Sequence, residues 1–330
     1  MRTPSSCARF LLTALISFAL TYGIGAVADA DSRAIRIGVL TPGRTFNPVF
    51  AGLKVGLDRF GYRDGENLTF IVEDSNGGLA DLDQRADTIL RAKPDVIFTV
   101  TTPHALAAKK ATQTVPVVFA WVGDPVRAGL IANYSSSRSN LTGVTSYSGP
   151  LSGKRLEILQ EIAPGTKRVL ALVSSTEIVA RQSFQIVDAT AKKLGIQIVR
   201  RDVSNRQEIE KALDGAPRGS IDAIYHVPST LVGVDIDRLL KKSREDKVPL
   251  VTHETLMVEQ GALCAYGADF HRVGIQAARL LIKTVTGEKP SDVPTEIPER
   301  LLLVLNATTA RVIGLRIPRT VLNKVDRVVE

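Results

Sequence analysis

Asp95 to Ala120 reads DVIFTVTTPHALAAKKATQTVPVVFA, and its pattern decides the fold. Asp95 to Val100 is a continuous apolar run of strand length, the pattern of a strand buried on both faces. Pro103 to Thr112 carries apolar residues at helical spacing, with Pro103 in the first turn, and Val115 to Ala120 is a second apolar strand. Strand, amphipathic helix and strand in this order predict a crossover in a parallel sheet.

The same cycle extends to either side. Upstream, Ile35 to Leu40 and Leu68 to Val72 read as strands, with helices over Phe46 to Phe60 and Leu79 to Arg91. Downstream, Asn140 to Ser146 reads as a crossing into a second unit of the same kind. There Lys154 to Ile162, Ile178 to Leu194, Gln207 to Leu213 and Ile236 to Arg244 are helical. Arg168 to Val173, Ile196 to Arg201, Ala223 to Val227 and Pro249 to Thr252 continue the strands. Gly261 to Tyr266 is extended, Phe270 to Val285 is a long amphipathic helix, and Leu301 to Leu305 is a last apolar strand. The fold class is therefore α/β, with two doubly wound parallel-sheet lobes. Such sheets bind ligands at the carboxyl ends of their strands, so a cleft between the lobes is the expected site.

The first 28 residues have the order of a secretory signal peptide: Arg2 and Arg9, an apolar run from Phe10 to Ile24, and the small-x-small site Ala26-Val27-Ala28. Cleavage there leaves roughly 300 residues, enough for two ordinary lobes. Cys7 leaves with this leader, and Cys264 then stands alone, set in an apolar strand as a small core residue. Removing Arg2 and Arg9 lowers the formal charge by two from +8. The remaining basic residues are scattered over polar helix positions. With one Trp and six Tyr, the chain lacks the interleaved aromatics of a nucleic-acid groove, so no nucleic-acid partner is expected.

Catalytic motifs fail on inspection. Gly149 to Arg155 resembles a phosphate loop but is one residue short, and it lacks the following Ser or Thr. His253-Glu254-Thr255-Leu256-Met257 starts like a zinc-protease helix, but Met257 stands where the second His is required. His104, His226, His253 and His271 form no ligand pair four residues apart and read as hydrogen-bonding residues. Neither a metal nor a cofactor is expected.

Several segments resemble the ABC-transporter substrate-binding proteins of the family that includes tryptophan- and tyrosine-type binders. They are Gly61-Tyr62 through Gly65-Glu66-Asn67-Leu68, Thr101-Thr102-Pro103-His104-Ala105, and Val115 to Phe119 leading to Gly123-Asp124-Pro125-Val126. Asn140 to Val144, Lys154 to Glu157, Gly261 to Leu263 with Tyr266 to Asp269, and Val293 to Asn306 follow in the family's order. The likeness covers about residues 34 to 330. Two departures stand out: Ser137-Arg138-Ser139 replaces the family's Pro-Gly-Gly, and Ile297 replaces a Gln.

The resemblance implies a type I periplasmic-binding-protein-like fold with a hinge. The first lobe would comprise residues 33–143 plus about 267–290, and the second 144–266 plus about 291–330. It also implies a soluble periplasmic monomer that is not an enzyme, takes a small-molecule ligand and meets the transmembrane subunits of an ABC permease. A periplasmic ligand-sensing subunit for a membrane receptor kinase is the alternative reading.

Candidate ligand-binding residues follow the strands. Thr41 and Arg44 come after the first strand, Thr101 and Thr102 after the third, and Trp121 after the fourth. Ser146 and Tyr147 follow the crossing, Ser175 ends a strand of the second lobe, and Pro228 and Ser229 end another. His253 and Glu254 end the next, and Tyr266 and Asp269 lie at the return crossing. An amino-acid ligand needs an anion near its ammonium, which Glu254 or Asp269 would supply, and hydroxyls near its carboxylate, from Ser175 and Thr102.

Overall fold

A computed structural model describes residues 34–43 and 46–330, so the expected leader and Arg44 lie outside the described residues. The first half runs β1 (Ile35–Thr41), α1 (Asn47–Arg59), β2 (Leu68–Asp74), α2 (Leu82–Arg91), β3 (Val96–Val100), α3 (Thr102–Ala111), β4 (Val117–Val122) and β5 (Leu141–Thr145). Its five strands form a parallel sheet in the order β2-β1-β3-β4-β5. Alternate residues of each strand enter opposite apolar layers, as the pleat requires. Val96, Phe98 and Val100 pack with Leu53 and Leu57 of α1, while Ile97 packs with Ile89 of α2 and Ala108 of α3.

The second half continues α4 (Ser152–Ile162), β6 (Arg168–Ser174), α5 (Ile178–Leu194), β7 (Gln197–Val203), α6 (Arg206–Asp214), β8 (Ala223–His226), α7 (Thr230–Gly233), α8 (Ile236–Asp246), β9 (Leu250–Thr252), α9 (Thr255–Glu259) and β10 (Cys264–Ala268). It ends with α10 (Phe270–Val285), β11 (Leu301–Asn306), α11 (Ala307–Val312), α12 (Arg319–Leu322) and β12 (Arg327–Val329). The second sheet has the order β12-β11-β10-β9-β8-β6-β7. Val169, Ala171 and Val173 face α4 and α5, and Leu170 and Leu172 face α6 and α8.

Helix α10 follows a strand of the second sheet but packs on the first. It crosses α1 at backbone contact: a Cβ on Gly52 would lie 2.0 Å from the His271 carbonyl oxygen, and one on Gly274 would lie 2.0 Å from that of Val49. Any side chain at either position would force the helices apart.

The chain thus passes between the sheets three times: after β5, between β10 and α10, and between α10 and β11. The last passage explains a departure from the all-parallel expectation. β10 leads out of the second sheet and β11 leads back in, so the two pair antiparallel. Asn140 to Ser146, read as the crossing itself, is mostly β5, the edge strand paired with β4. The first and third passages are tied together, since Thr145 N–H donates to the Glu296 carbonyl and Glu296 N–H to that of Gly143, both at 2.9 Å.

Candidate functional site

The strand orders set the site. In the first sheet the chain reverses direction of growth between β1 and β3, and in the second between β6 and β8. Loops at such a reversal splay apart beyond the carboxyl ends and leave a crevice. Here the two crevices face each other across a narrow inner pocket of about 20 Å³. Thr101, Thr102, Trp121 and Ser146 line it from one side, and Pro228, Ser229, His253 and Glu254 from the other.

Thr101 and Trp121 both hold left-handed backbone, at φ 75° and 59°. Such conformations cost about 1–3 kcal/mol each in non-glycine residues and gather at functional sites. The turn at Thr101 places its Oγ1 2.8 Å from Nδ1 of His104, whose Nε2 meets Ser75 Oγ at 3.0 Å. Burial drives the His104 pKa down to about 3, so this imidazole is a neutral brace. Thr102 Oγ1 accepts from the Gly123 N–H at 3.3 Å, which leaves its own proton free for the pocket. The Trp121 indole stacks on Phe270, with ring centres 3.9 Å apart and planes within 14°. Phe46 meets Phe270 edge-on behind it.

On the opposite wall, Ser229 caps α7 by accepting from Val232 N–H at 3.2 Å, and it donates to the buried Glu177 carboxylate. Glu177 also accepts from the N–H groups of Thr230 and Leu231, at 2.8 and 3.2 Å. His253 and Glu254 are buried, and neither carboxylate oxygen of Glu254 has a hydrogen-bond partner. Burial holds the Glu254 carboxyl well above the usual range, against an opposing pull from Arg155. Arg155 lies beneath the pocket, fully buried, donating from Nε to the Tyr266 carbonyl at 2.6 Å and from Nη1 to that of Ser148 at 2.8 Å. It therefore pins the first passage between the lobes to the strand that starts the second.

Other sequence candidates fall elsewhere. Thr41 spends its hydroxyl on the Gly43 N–H of its own turn. Ser175 is exposed and lines neither cavity, its Oγ reaching the Val203 carbonyl at 3.4 Å. Tyr147 is half-buried at φ 51° and lines neither the inner pocket nor the mouth above it. The Tyr266 side chain packs against the second lobe's core. Asp269 caps α10, accepting from Arg272 N–H at 2.9 Å, so its charge serves the helix dipole instead of the pocket.

Sequence reasoning missed Phe46, Gly123, Ser148, Val179 and Thr230, which complete the inner wall. Val179, in the first turn of α5, leans across the cleft onto Gly123. Above it, a larger cavity of about 890 Å³ opens between Asn76 to Asp83 and Pro103 on one side and Glu177, Asn205 and Asp235 on the other. Among the described residues, no helix is long and apolar enough to cross a membrane.

Comparison with known proteins gives a consistent picture. Residues 35–329 match the family model of the ABC transporter substrate binding protein. A tyrosine-binding protein of Clostridioides difficile is 25% identical over 265 residues, covering 80% of this chain and 76% of that one. A solved conserved domain protein of Vibrio cholerae biovar El Tor superposes with TM-score 0.85 at 27% identity, over 90% of this chain and 100% of the other. An ABC domain from Streptococcus pneumonia in complex with L-Trp superposes at 0.84, with 24% identity and the same coverage, a likeness of fold.

Proposed function

The chain belongs to the ABC transporter substrate binding protein family, and from that premise we propose that it is the periplasmic receptor of an importer, closing over one small amino-acid-like or aromatic solute and passing it to a permease. Members of this family bind their solutes and do not transform them. The observation that carries the reading is the inner pocket, whose wall is drawn from the strand ends of both sheets. A solute that reaches these walls, with its bulk in the adjoining cavity of about 890 Å³ that shares Thr102 and Val179 with the pocket, bridges the lobes and favours the closed form by its differential affinity for it. Closure is then what the permease reads.

Within that pocket the amine of an amino-acid solute would meet Glu254, and its carboxylate would meet the Thr102 hydroxyl beside the first N–H groups of α3. The related tyrosine-binding protein supports the amino-acid class. The apolar run and small-x-small site of the leader support export, and the family supports delivery to a permease.

The test is a thermal-shift screen of the purified mature chain over amino acids and small aromatic acids, followed by calorimetry on the hits. A solute raising the melting temperature, with affinity lost in Glu254→Gln and Thr102→Val, is the expected result. A screen in which no such solute binds, or in which binding is indifferent to both substitutions, overturns it.

A further inference from the structure

His226, His253 and Glu254 come together although 27 positions separate the histidines. The sheet does this. β8 and β9 are parallel neighbours with Ile224 beside Leu250 and Tyr225 beside Val251. Continuing that register brings His226 level with Thr252, and the next two residues carry the other side chains over the strand ends. The imidazole centres lie 4.8 Å apart, and one ligand atom from each of the three residues falls within 4.8 Å of the others. All three are buried.

Unpaired nitrogen and oxygen atoms gather in this cluster. The Thr252 hydroxyl donates its one proton to Met257 Sδ at 3.2 Å and lies 3.0 Å from His226 Nδ1. In the tautomer with the proton on Nδ1, the ring donates to Thr252 and leaves Nε2 a bare lone pair, the form that a metal selects. His226 Nε2 has no partner, nor have His253 Nδ1 and both Glu254 oxygens. His253 Nε2 stands 3.2 Å from Glu254 Oε1 without forming a hydrogen bond. Two donors on one tetrahedral zinc ion, each 2.0–2.1 Å from it, are about 3.3 Å apart. The cluster thus has the donor types of a two-histidine, one-carboxylate site; His253 and Glu254 already stand at the ligand spacing, and His226 would draw in toward them on binding, its other nitrogen held by Thr252.

The geometry points to a binding site for one divalent transition-metal ion of the zinc class, held by His226, His253 and Glu254 with an open coordination position toward the inner pocket. Arg155 lies near enough to oppose a second positive charge. The site therefore depends on imidazole bonding and discriminates against Mg²⁺ and Ca²⁺, which want oxygen donors. An amino acid entering the pocket could complete the coordination through its amine or carboxylate.

The test uses the untagged mature chain, stripped with a chelator and free of amino acids, so its outcome does not depend on the receptor reading. Zn²⁺ and Co²⁺ are titrated by calorimetry and visible absorption. One ion per chain is expected, with the intense cobalt spectrum of a four- or five-coordinate ion and a raised melting temperature. His226→Gln and Glu254→Gln should each weaken binding by more than the ~10–100-fold that loss of an outer-shell partner costs. His271→Gln, at an exposed position of α10, should leave it unchanged. The proposal is overturned by no saturable uptake in the unsubstituted chain, by the weak spectrum of a six-coordinate ion, by equal binding of Ca²⁺, or by binding that survives both cluster substitutions. The first three outcomes do not require any variant to fold.

Discussion

Val179 Cγ2 lies 2.3 Å from where a Cβ on Gly123 would stand. Gly123 follows β4 of the first sheet and Val179 opens α5 beside the second, so the contact reaches across the cleft. Glycine here is needed for a close approach between lobes, since its own φ is not in the left-handed region.

Gly123→Val should therefore hold the lobes apart while leaving each sheet intact. Overpacking of this kind costs about 1–3 kcal/mol, which would weaken solute binding ~5–150-fold. Calorimetry and small-angle scattering would read the loss of affinity and the more open form. Adding Val179→Gly should restore closure; a double variant as weak as the single one would count against the contact as the cause.

Trp121 closes the inner pocket from the first lobe, stacked on Phe270. Trp121→Ala removes a buried indole and should destabilise the fold by about 3–5 kcal/mol in denaturant titrations. The same substitution should widen the range of solutes accepted, toward bulkier side chains. An unchanged ligand profile would place the indole outside the determinants of size.

His104 has its pKa lowered to about 3 from the ordinary 6.5 by burial. Between those values the unfolded chain takes up a proton and the native chain does not. Stability is fully present above pH 6.5 and is lost as pH falls toward 3. From pH 6.5 to 5 this residue alone should withdraw about 1.5 kcal/mol. His226 acts in the same direction, whereas Glu254, pushed upward, costs stability as pH rises. Urea titrations at the two pH values should show a loss about 1.5 kcal/mol smaller in His104→Gln than in the parent. Equal losses would contradict the buried neutral imidazole.

Arg138, in the Ser137-Arg138-Ser139 segment, occupies left-handed backbone at φ 52°. A non-glycine residue is strained there. Set against the entropy glycine adds to the unfolded chain, Arg138→Gly should still gain about 0.5–1 kcal/mol. A higher urea midpoint with an unchanged slope would show it; a lower midpoint would mean that the arginine makes a compensating contact.

What could be read from the chain beforehand followed local chemistry. The helix over Phe270 to Val285 has the bounds its apolar spacing predicts. Cys264 is wholly buried in β10, with burial raising its thiol to about 12, as its apolar setting indicated. The residues at the ends of β3, β4, β8 and β9 likewise reached the cleft because strand ends are legible from apolar runs.

The remainder depended on partners distant in sequence. Nothing near Glu177 announces that it will cap α7, and the His226–His253 pair exists only once β8 and β9 align. Asp269 and Tyr266 looked like cleft residues because they sit at a crossing, but their neighbours claim them. The antiparallel β10–β11 pair depends on the path of the chain between lobes, which no local pattern encodes. β12 escaped notice because Arg327-Val328-Val329 is too short and too exposed to register as a strand.

The stack of Trp121 on Phe270 has a practical corollary. The chain contains one tryptophan, and it stands in the wall where the two lobes meet. Its emission is therefore a label-free optical signal from a single known position, and any event that parts the lobes or fills the space between them must change the light it gives.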